Sequence, residues 1–229
     1  MKNQILSVAA AICMLFSISC KKSEDQATAN LRFINMSPNS SAMDLYLNSA
    51  LVVGNVSYPG PSSYQSINAA ATSLSVNQAT TANILLAGNI ALAANNHYSA
   101  IVYDSVAILK GDIFQDDRTD PPAGKAFVRF FNYVSGTPSL DLIKAGNTSN
   151  KLFTSRTYLD HKTTGSYVSY TAIDPGPFSV SAVVAGTNVL ITQLPSFEAT
   201  AGKSYTLVLR GFNKGTGNQA VFLSPIQDK

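Results

Sequence analysis

The sequence predicts an all-β protein: two tandem immunoglobulin-like antiparallel β-sandwich domains after a lipoprotein signal peptide. Three observations predict it. Short runs of Val, Ile, Tyr and Phe alternate with Ser, Thr, Asn and Lys, the pattern of strands with one buried face. One motif returns about 100 residues further on, the length of a whole small domain rather than of a solenoid repeat. A hydrophobic fraction of 45% against 13% charged over 229 residues supplies enough apolar material for one large core or two smaller ones.

Residues 1–19 read as the signal peptide. A short polar start with one Lys precedes an apolar stretch from Ile5 to Ile18, too short to span a bilayer comfortably. Ser17-Ile18-Ser19-Cys20 follows where the apolar run stops and looks like a lipobox, so cleavage before Cys20 and acylation of its thiol are expected. Cys13 then leaves with the signal and Cys20 carries lipid, which excludes a thiol nucleophile or a disulfide in the mature chain. The acyl chains are the expected membrane contact. Residues 20–30 form the lipidated Cys and a flexible tether. Within it Ser23-Glu24-Asp25 resembles an acidic tag that sends lipoproteins to the cell surface. The expected address is therefore the outer membrane, lipid-anchored and facing outward, with a periplasm-facing orientation as the alternative.

Residues 31–121 and 122–229 read as the two sandwiches. Leu31-Arg32-Phe33-Ile34-Asn35 returns as Val128-Arg129-Phe130-Phe131-Asn132, and the register holds to Asp44 over Asp141. Leu74-Ser75-Val76 matches Phe178-Ser179-Val180, and His97-Tyr98 matches Ser204-Tyr205. Strands are expected over 31–36, 43–47, 51–56, 63–68, 73–78, 82–87, 97–104 and 107–114, and again over 126–133, 139–144, 151–158, 166–173, 177–184, 188–193, 204–211 and 219–223. Asn48-Ser49 suits a tight hairpin, and Pro175-Gly176-Pro177 and Gly202 punctuate the second half. The boundary falls in the polar run from Asp116 to Pro122. The halves differ in charge. Residues 30–121 hold three basic against six acidic side chains, and residues 122–229 ten against five, which would suit a charge-guided contact between domains or with a partner.

The segment from Arg32 to Asn48 resembles the opening of the family catalogued as domain of unknown function 4397. Members typically begin Arg-Val-Val-His-Ala-Ser-Pro-Asp-Ala-Pro-x-Val-Asp-Val-Tyr-Val-Asn-Gly. Arg32, Ser37, Pro38, Asp44, Tyr46 and Asn48 match by identity, while Asn35 stands at the His position. The second copy keeps Arg129, Pro138 and Asp141. The resemblance implies a secreted or lipid-anchored β-sandwich and no established activity.

The inventory for chemistry is thin, with two His, and Glu24 and Glu198 the sole glutamates. No Gly-x-Ser-x-Gly elbow occurs, and His97 and His161 read as lone surface histidines, so a hydrolase is not expected and no cofactor is implied. A net charge of +3 gives no argument for nucleic acid. Asp44 and Asp141 read as acceptors for turn amides. Asp112, Asp116, Asp117 and Asp120 form the one dense acidic cluster, a weak calcium candidate that lacks the alternation and Gly of a calcium loop. Tyr58, Tyr64, Tyr158, Tyr167 and Tyr170 are candidate glycan contacts, since exposed rings stack on sugar faces. Asp104-Ser105-Val106 resembles a short O-glycosylation acceptor. The function expected is a non-catalytic envelope lipoprotein acting as an adhesion, scaffold or assembly module. A glycan-binding accessory protein is the alternative, with a glycan or an envelope protein as partner.

Overall fold

The computed structural model describes residues 27–144 and 150–229. The expectations for Cys20, Ser23, Glu24 and Asp25 lie outside the described residues. Among the described residues there is no α-helix, and the regular structure is β-strand with four short 3₁₀ turns.

The first half contributes β1 (Thr28–Asn35), β2 (Met43–Leu47), β3 (Ala50–Val56), β4 (Gly60–Pro61), β5 (Gln65–Asn68), β6 (Ser73–Gln78), β7 (Ile84–Asn89), β8 (His97–Tyr103) and β9 (Lys110–Asp116). The second contributes β10 (Ala126–Asn132), β11 (Leu140–Lys144), β12 (Lys151–Arg156), β13 (Thr171–Ile173), β14 (Gly176–Val184), β15 (Leu190–Ala199), β16 (Ser204–Arg210) and β17 (Phe222–Gln227). Sheet β4-β1-β8-β9, with β5 also on β1, packs over sheet β3-β2-β6-β7; sheet β13-β10-β16-β17 packs over β12-β11-β14-β15. The order in the second pair repeats that in the first.

The sandwiches are not wholly antiparallel: β1 pairs with β8, and β10 with β16, in parallel. The opening strand of each half runs alongside a late strand of the same half, which a hairpin cannot achieve and a long connection can. The strand expected at 166–173 shrinks to Thr171–Ile173 behind a 3₁₀ turn at Gly165–Val168. The one expected at 219–223 shifts to Phe222–Gln227, because a 3₁₀ turn at Gly217–Gln219 occupies its start. Asn48 and Ser49 both have positive φ (46° and 67°) between paired Leu47 and Ala50, the two-residue hairpin whose twist matches its strands. The register also corrects one internal match. Tyr46 faces Ser75 and Ile143 faces Ser181, so β6 and β14 correspond with Ser75 over Ser181 rather than over Ser179.

Alternation explains three burials. Leu31 and Phe33 of β1 point into the first core with Leu45, Val76, Ala100 and Val102. Val128 and Phe130 of β10 point into the second with Leu142, Val180 and Leu207. The intervening residues form a third core: Ile34, Met36, Ile101 and Tyr103 from the first half meet Phe131, Tyr133, Val208 and Ile226 from the second. The outer face of one sheet therefore lies on the outer face of the other, giving four stacked layers. This is why consecutive residues of β1 and β10 are buried, Phe33 to Asn35 and Val128 to Asn132, since both faces of these strands are covered.

Candidate functional site

The chemistry-bearing side chains gather in that third core. Arg32 on β1 and Arg129 on β10 occupy corresponding strand positions, both on the face turned to the other sheet. Each Nε donates to a hydroxyl on the neighbouring parallel strand, Arg32 to Ser99 Oγ at 2.7 Å and Arg129 to Thr206 Oγ1 at 2.7 Å. Each Nη2 then crosses to the other half. Arg129 pairs with Asp116 Oδ1 at 2.6 Å, and Arg32 pairs with Asp228 Oδ1. Ser99 donates to Asp116 Oδ2 and Thr206 to Asp228 Oδ2, both at 2.6 Å. Tyr64 and Tyr170 complete the carboxylates' shells at 2.8 Å each. Their rings lie under the guanidiniums, with Arg32 4.9 Å from the Tyr64 centroid and Arg129 4.6 Å from that of Tyr170. Every member of one half has its counterpart in the other.

The electrostatics follow. Burial opposes the charge on Arg32 and Arg129, and the facing carboxylates, Asp228 foremost, outweigh it and raise both guanidiniums further. Burial and the same carboxylates push the Tyr64 and Tyr170 phenols well up, so both stay neutral donors. A buried ion pair roughly offsets its own desolvation, whereas burying a large apolar side chain contributes about 1.5–3 kcal/mol. The apolar cluster therefore holds the layers together, and the reciprocal pairs fix the register at which they meet.

A second cross-contact lies beside it. His161 is buried rather than a surface histidine. Its Nε2 is 2.7 Å from Asp112 Oδ2, and its ring lies tilted against Phe131 with centroids 4.5 Å apart. Lys162 lies 3.5 Å from Asp112 Oδ1. Asp160 does not orient this imidazole, because it forms a pair with Arg156 at 2.7 Å. An imidazole enclosed by Phe131, Tyr133 and Asp112 has no open face for a substrate. The charge difference between the halves is thus matched at their contact, where Asp112, Asp116 and Asp120 of the first half meet Lys162, Arg129 and Lys229 of the second.

The acidic cluster is dispersed. Asp112 goes to His161, Asp116 to Arg129, Asp117 to the Thr119 amide and Asp120 to Lys229. Among the described residues no His, Cys, Asp or Glu group is placed to hold a metal ion. Asp104 pairs with Lys110 at 2.8 Å, while Ser105 precedes a 3₁₀ turn at Val106–Ile108.

Asp44 and Asp141 accept turn amides. Asp44 takes those of Asn55 (2.7 Å) and Thr80 (3.0 Å), and Asp141 those of Ser155 (2.8 Å) and Gly186 (3.1 Å). All four donors have positive φ, so each carboxylate pins two left-handed residues on either side of its strand.

The five tyrosines do not converge. Tyr64 and Tyr170 belong to the ionic joint. Tyr167 covers Arg156, whose guanidinium carbon is 4.0 Å from the ring centroid. Tyr58 and Tyr158 reach across to the opposite half: Tyr58 accepts from Arg210 at 2.6 Å, and Tyr158 bonds Asp104 and Lys110.

The first sandwich also carries surface hollows. An apolar cleft of about 230 Å³ opens between β7 and β9, lined by Phe33, Leu74, Leu86 and Ile113. A broader depression of about 560 Å³ lies on the outer face of β2 and β6, lined by Tyr46, Ser75, Asn77, Thr80, Thr81 and Ile84 among others. Sequence reasoning missed Tyr46 and Asn77. Their signal was the out-facing phase of the strand alternation, which places an aromatic ring and an amide on one exposed face.

The family model described as Domain of unknown function (DUF4397) matches residues 29–143, β1 through most of β11. The chain belongs to the DUF4397 family. The DUF4397 match takes in the whole first sandwich, including Arg32, Asp44, Tyr46 and Asp116, and the opening of the second as far as Arg129 and Asp141. No curated protein matches the chain. Among solved structures, the chain is similar to a streptococcal virulence factor that binds alpha-glucan, at 15% identity over 85% of this chain and 96% of the other, with a TM-score of 0.28. It is also similar to a CBM26 module of Eubacterium rectale Amy13K in complex with maltoheptaose, at 12% identity over 87% and 95%, with a TM-score of 0.24. At these TM-scores neither likeness bears on the fold or the ligand of this DUF4397 protein.

Proposed function

We propose that this DUF4397 protein is a non-catalytic, lipid-anchored envelope protein that acts as an adhesion, scaffold or assembly module. We read the second sandwich as a second copy of the same domain, with units at 31–121 and 122–229. The observation that carries this reading is the destination of the reactive side chains. Asp112 with His161, Asp116 with Arg129 and Asp228 with Arg32 pair across the joint, making two sandwiches into one stiff body. A stiff body with its outer sheets free suits presentation or assembly. The lipobox-like run ending at Cys20 and the Ser23-Glu24-Asp25 tag support an anchor and an outward orientation. A second reading, a glycan-binding accessory lipoprotein, has its support in the Tyr46 depression.

Two measurements test the first reading. Wild-type protein takes up a palmitate analogue and Cys20→Ala does not; unchanged labelling of that variant contradicts the lipid anchor. Protease added to intact cells sheds the protein near residues 21–30, and antibody labels it on unpermeabilised cells. Replacing Ser23, Glu24 and Asp25 with Ala retains lipid and gives protection. Protection of the wild type in both assays places it facing the periplasm instead.

A further inference from the structure

The depression on the outer face of the first sandwich is built unlike the rest of the surface. Register places Tyr46 beside Ser75 and Asp44 beside Asn77, with Ile84 on the far side of Asn77. Tyr46 and Ser75 are half-buried, and Ile84 and Leu51 flank them as exposed apolar side chains, 59% and 57% accessible. Asn77 is only 8% accessible, and among the described residues its side-chain oxygen has no hydrogen-bond partner. A buried acceptor without a donor costs about 1–3 kcal/mol, which a fold does not ordinarily leave uncompensated. Thr80 and Thr81 close one end. Their hydroxyls donate to the Ala79 and Gln78 carbonyls, at 2.6 and 2.9 Å, and so retain acceptor lone pairs. Thr80 is left-handed, and its amide is held by Asp44, so this rim is set before any ligand arrives.

The lining defines the ligand. It holds an aromatic ring, four serine and threonine hydroxyls, an amide oxygen wanting a donor, and no charged side chain. A ring favours a ligand with a flat C–H face, and the oxygens favour one rich in hydroxyl donors. The absence of charge from the lining disfavours phosphate, sulfate and acidic groups. A neutral pyranose has both features, and a hollow of about 560 Å³ falls within the range of small-molecule sites. The matching place on the second sandwich is a smaller hollow of about 220 Å³, lined by the charged Asp141 and Lys151 beside Ile143 and Val183. The register there puts Ile143 where Tyr46 stands, Val183 in place of Asn77 and Ser181 in place of Ser75.

We propose that the outer face of β2 and β6 is a binding site for a neutral saccharide, with Tyr46 as the stacking platform and Asn77 as the hydrogen-bonding floor. This rests on the second, glycan-binding reading; it requires neither the lipid anchor nor surface export. Asp44 acts as a positioning residue for the Thr80 rim.

The test uses the full chain in a zwitterionic detergent, because glycoside detergents carry sugar heads. Saturation-transfer NMR is run with glucose, galactose, mannose, maltoheptaose and cellohexaose as probes. At least one probe receives saturation on its ring C–H protons. Tyr46→Ala weakens its binding by about tenfold or more, as does Tyr46→Leu, which keeps apolar bulk but removes the ring. Asn77→Ala weakens binding without lowering the melting temperature, since it removes an unpartnered oxygen; a purely structural Asn77 would lower it. Ile143→Ala, at the matching place on the second sandwich, leaves binding intact. Absence of saturation with all five probes, survival of binding in both Tyr46 variants, or equal loss in Ile143→Ala overturns the proposal. None of these outcomes alters the palmitate or intact-cell results, so failure here and failure of the scaffold reading are distinguishable.

Discussion

Arg32 and Asp228 are 196 positions apart in the chain and form a buried ion pair between its two halves. Arg129 and Asp116 form the reciprocal pair at corresponding strand positions. Exchanged contacts of this kind can be satisfied together at only one alignment of the two sheets. The joint thus behaves as an interface of matched parts rather than as two domains resting on a linker.

Removing one member of a pair strands its partner. Arg32→Ala removes the direct cation of Asp228 and leaves it Arg129 at 3.8 Å, so the expected cost in chemical denaturation is about 3 kcal/mol, the lower end for breaking a buried pair. Arg32→Met combined with Asp228→Leu recovers most of that loss, because an apolar pair of similar bulk carries no desolvation penalty. A double-mutant cycle reads the coupling directly.

High pH attacks the same joint. Burial, and then neighbouring carboxylates, hold Tyr64, Tyr133 and Tyr170 well above their ordinary range and push Tyr103 up to about 12. A folded pKa raised above the unfolded value of about 10 contributes stability that is complete below pH 10. That stability declines as pH rises above 10 and is lost on passing the folded pKa. Phenolate absorbance from these four rings therefore appears together with unfolding, and not as a separate titration of the native protein.

The turn-holding Asp141 gives the opposite sign. Burial would raise the Asp141 carboxyl, but Lys151 and the Ser155 and Gly186 amides outweigh it and hold it below the usual range. Its contribution is present above pH 4 and disappears as pH falls through the depressed value. Asp141→Asn accordingly flattens the acid limb of the stability profile. Asp44→Asn leaves either the Asn55 or the Thr80 amide without its acceptor and costs about 1–3 kcal/mol by urea denaturation.

Most strands were legible because one-sided burial writes a two-residue period into the sequence, as in Met43–Leu47 and Ser73–Gln78. The Asn48-Ser49 turn and the roles of Asp44 and Asp141 were legible for a similar reason, since the physics is local. The joint was not. An Arg inside an apolar strand, twice, at corresponding places, marked a buried charge, and the unequal charge of the halves hinted at where its partner lay. Which Asp meets which Arg depends on sheet-on-sheet alignment, which no spacing encodes. Tyr64 and Tyr170 looked free for the same reason: strand position does not say whether a face meets solvent or another sheet.

Limited proteolysis cuts first between Asp117 and Lys125, where Pro122, Ala123 and Gly124 are exposed, and not within β9. The nicked halves co-elute in size-exclusion chromatography, because Ile34, Ile101, Phe131 and Val208 remain packed. Arg32→Ala shortens the lifetime of the nicked complex.

Differential scanning calorimetry of the wild type shows whether the two sandwiches unfold as a single body. Two sandwiches joined as one body give one transition with equal calorimetric and van't Hoff enthalpies, lowered as a whole by Asp141→Asn in the second sandwich. Two resolved transitions, with Asp141→Asn moving one and leaving the other in place, would contradict it.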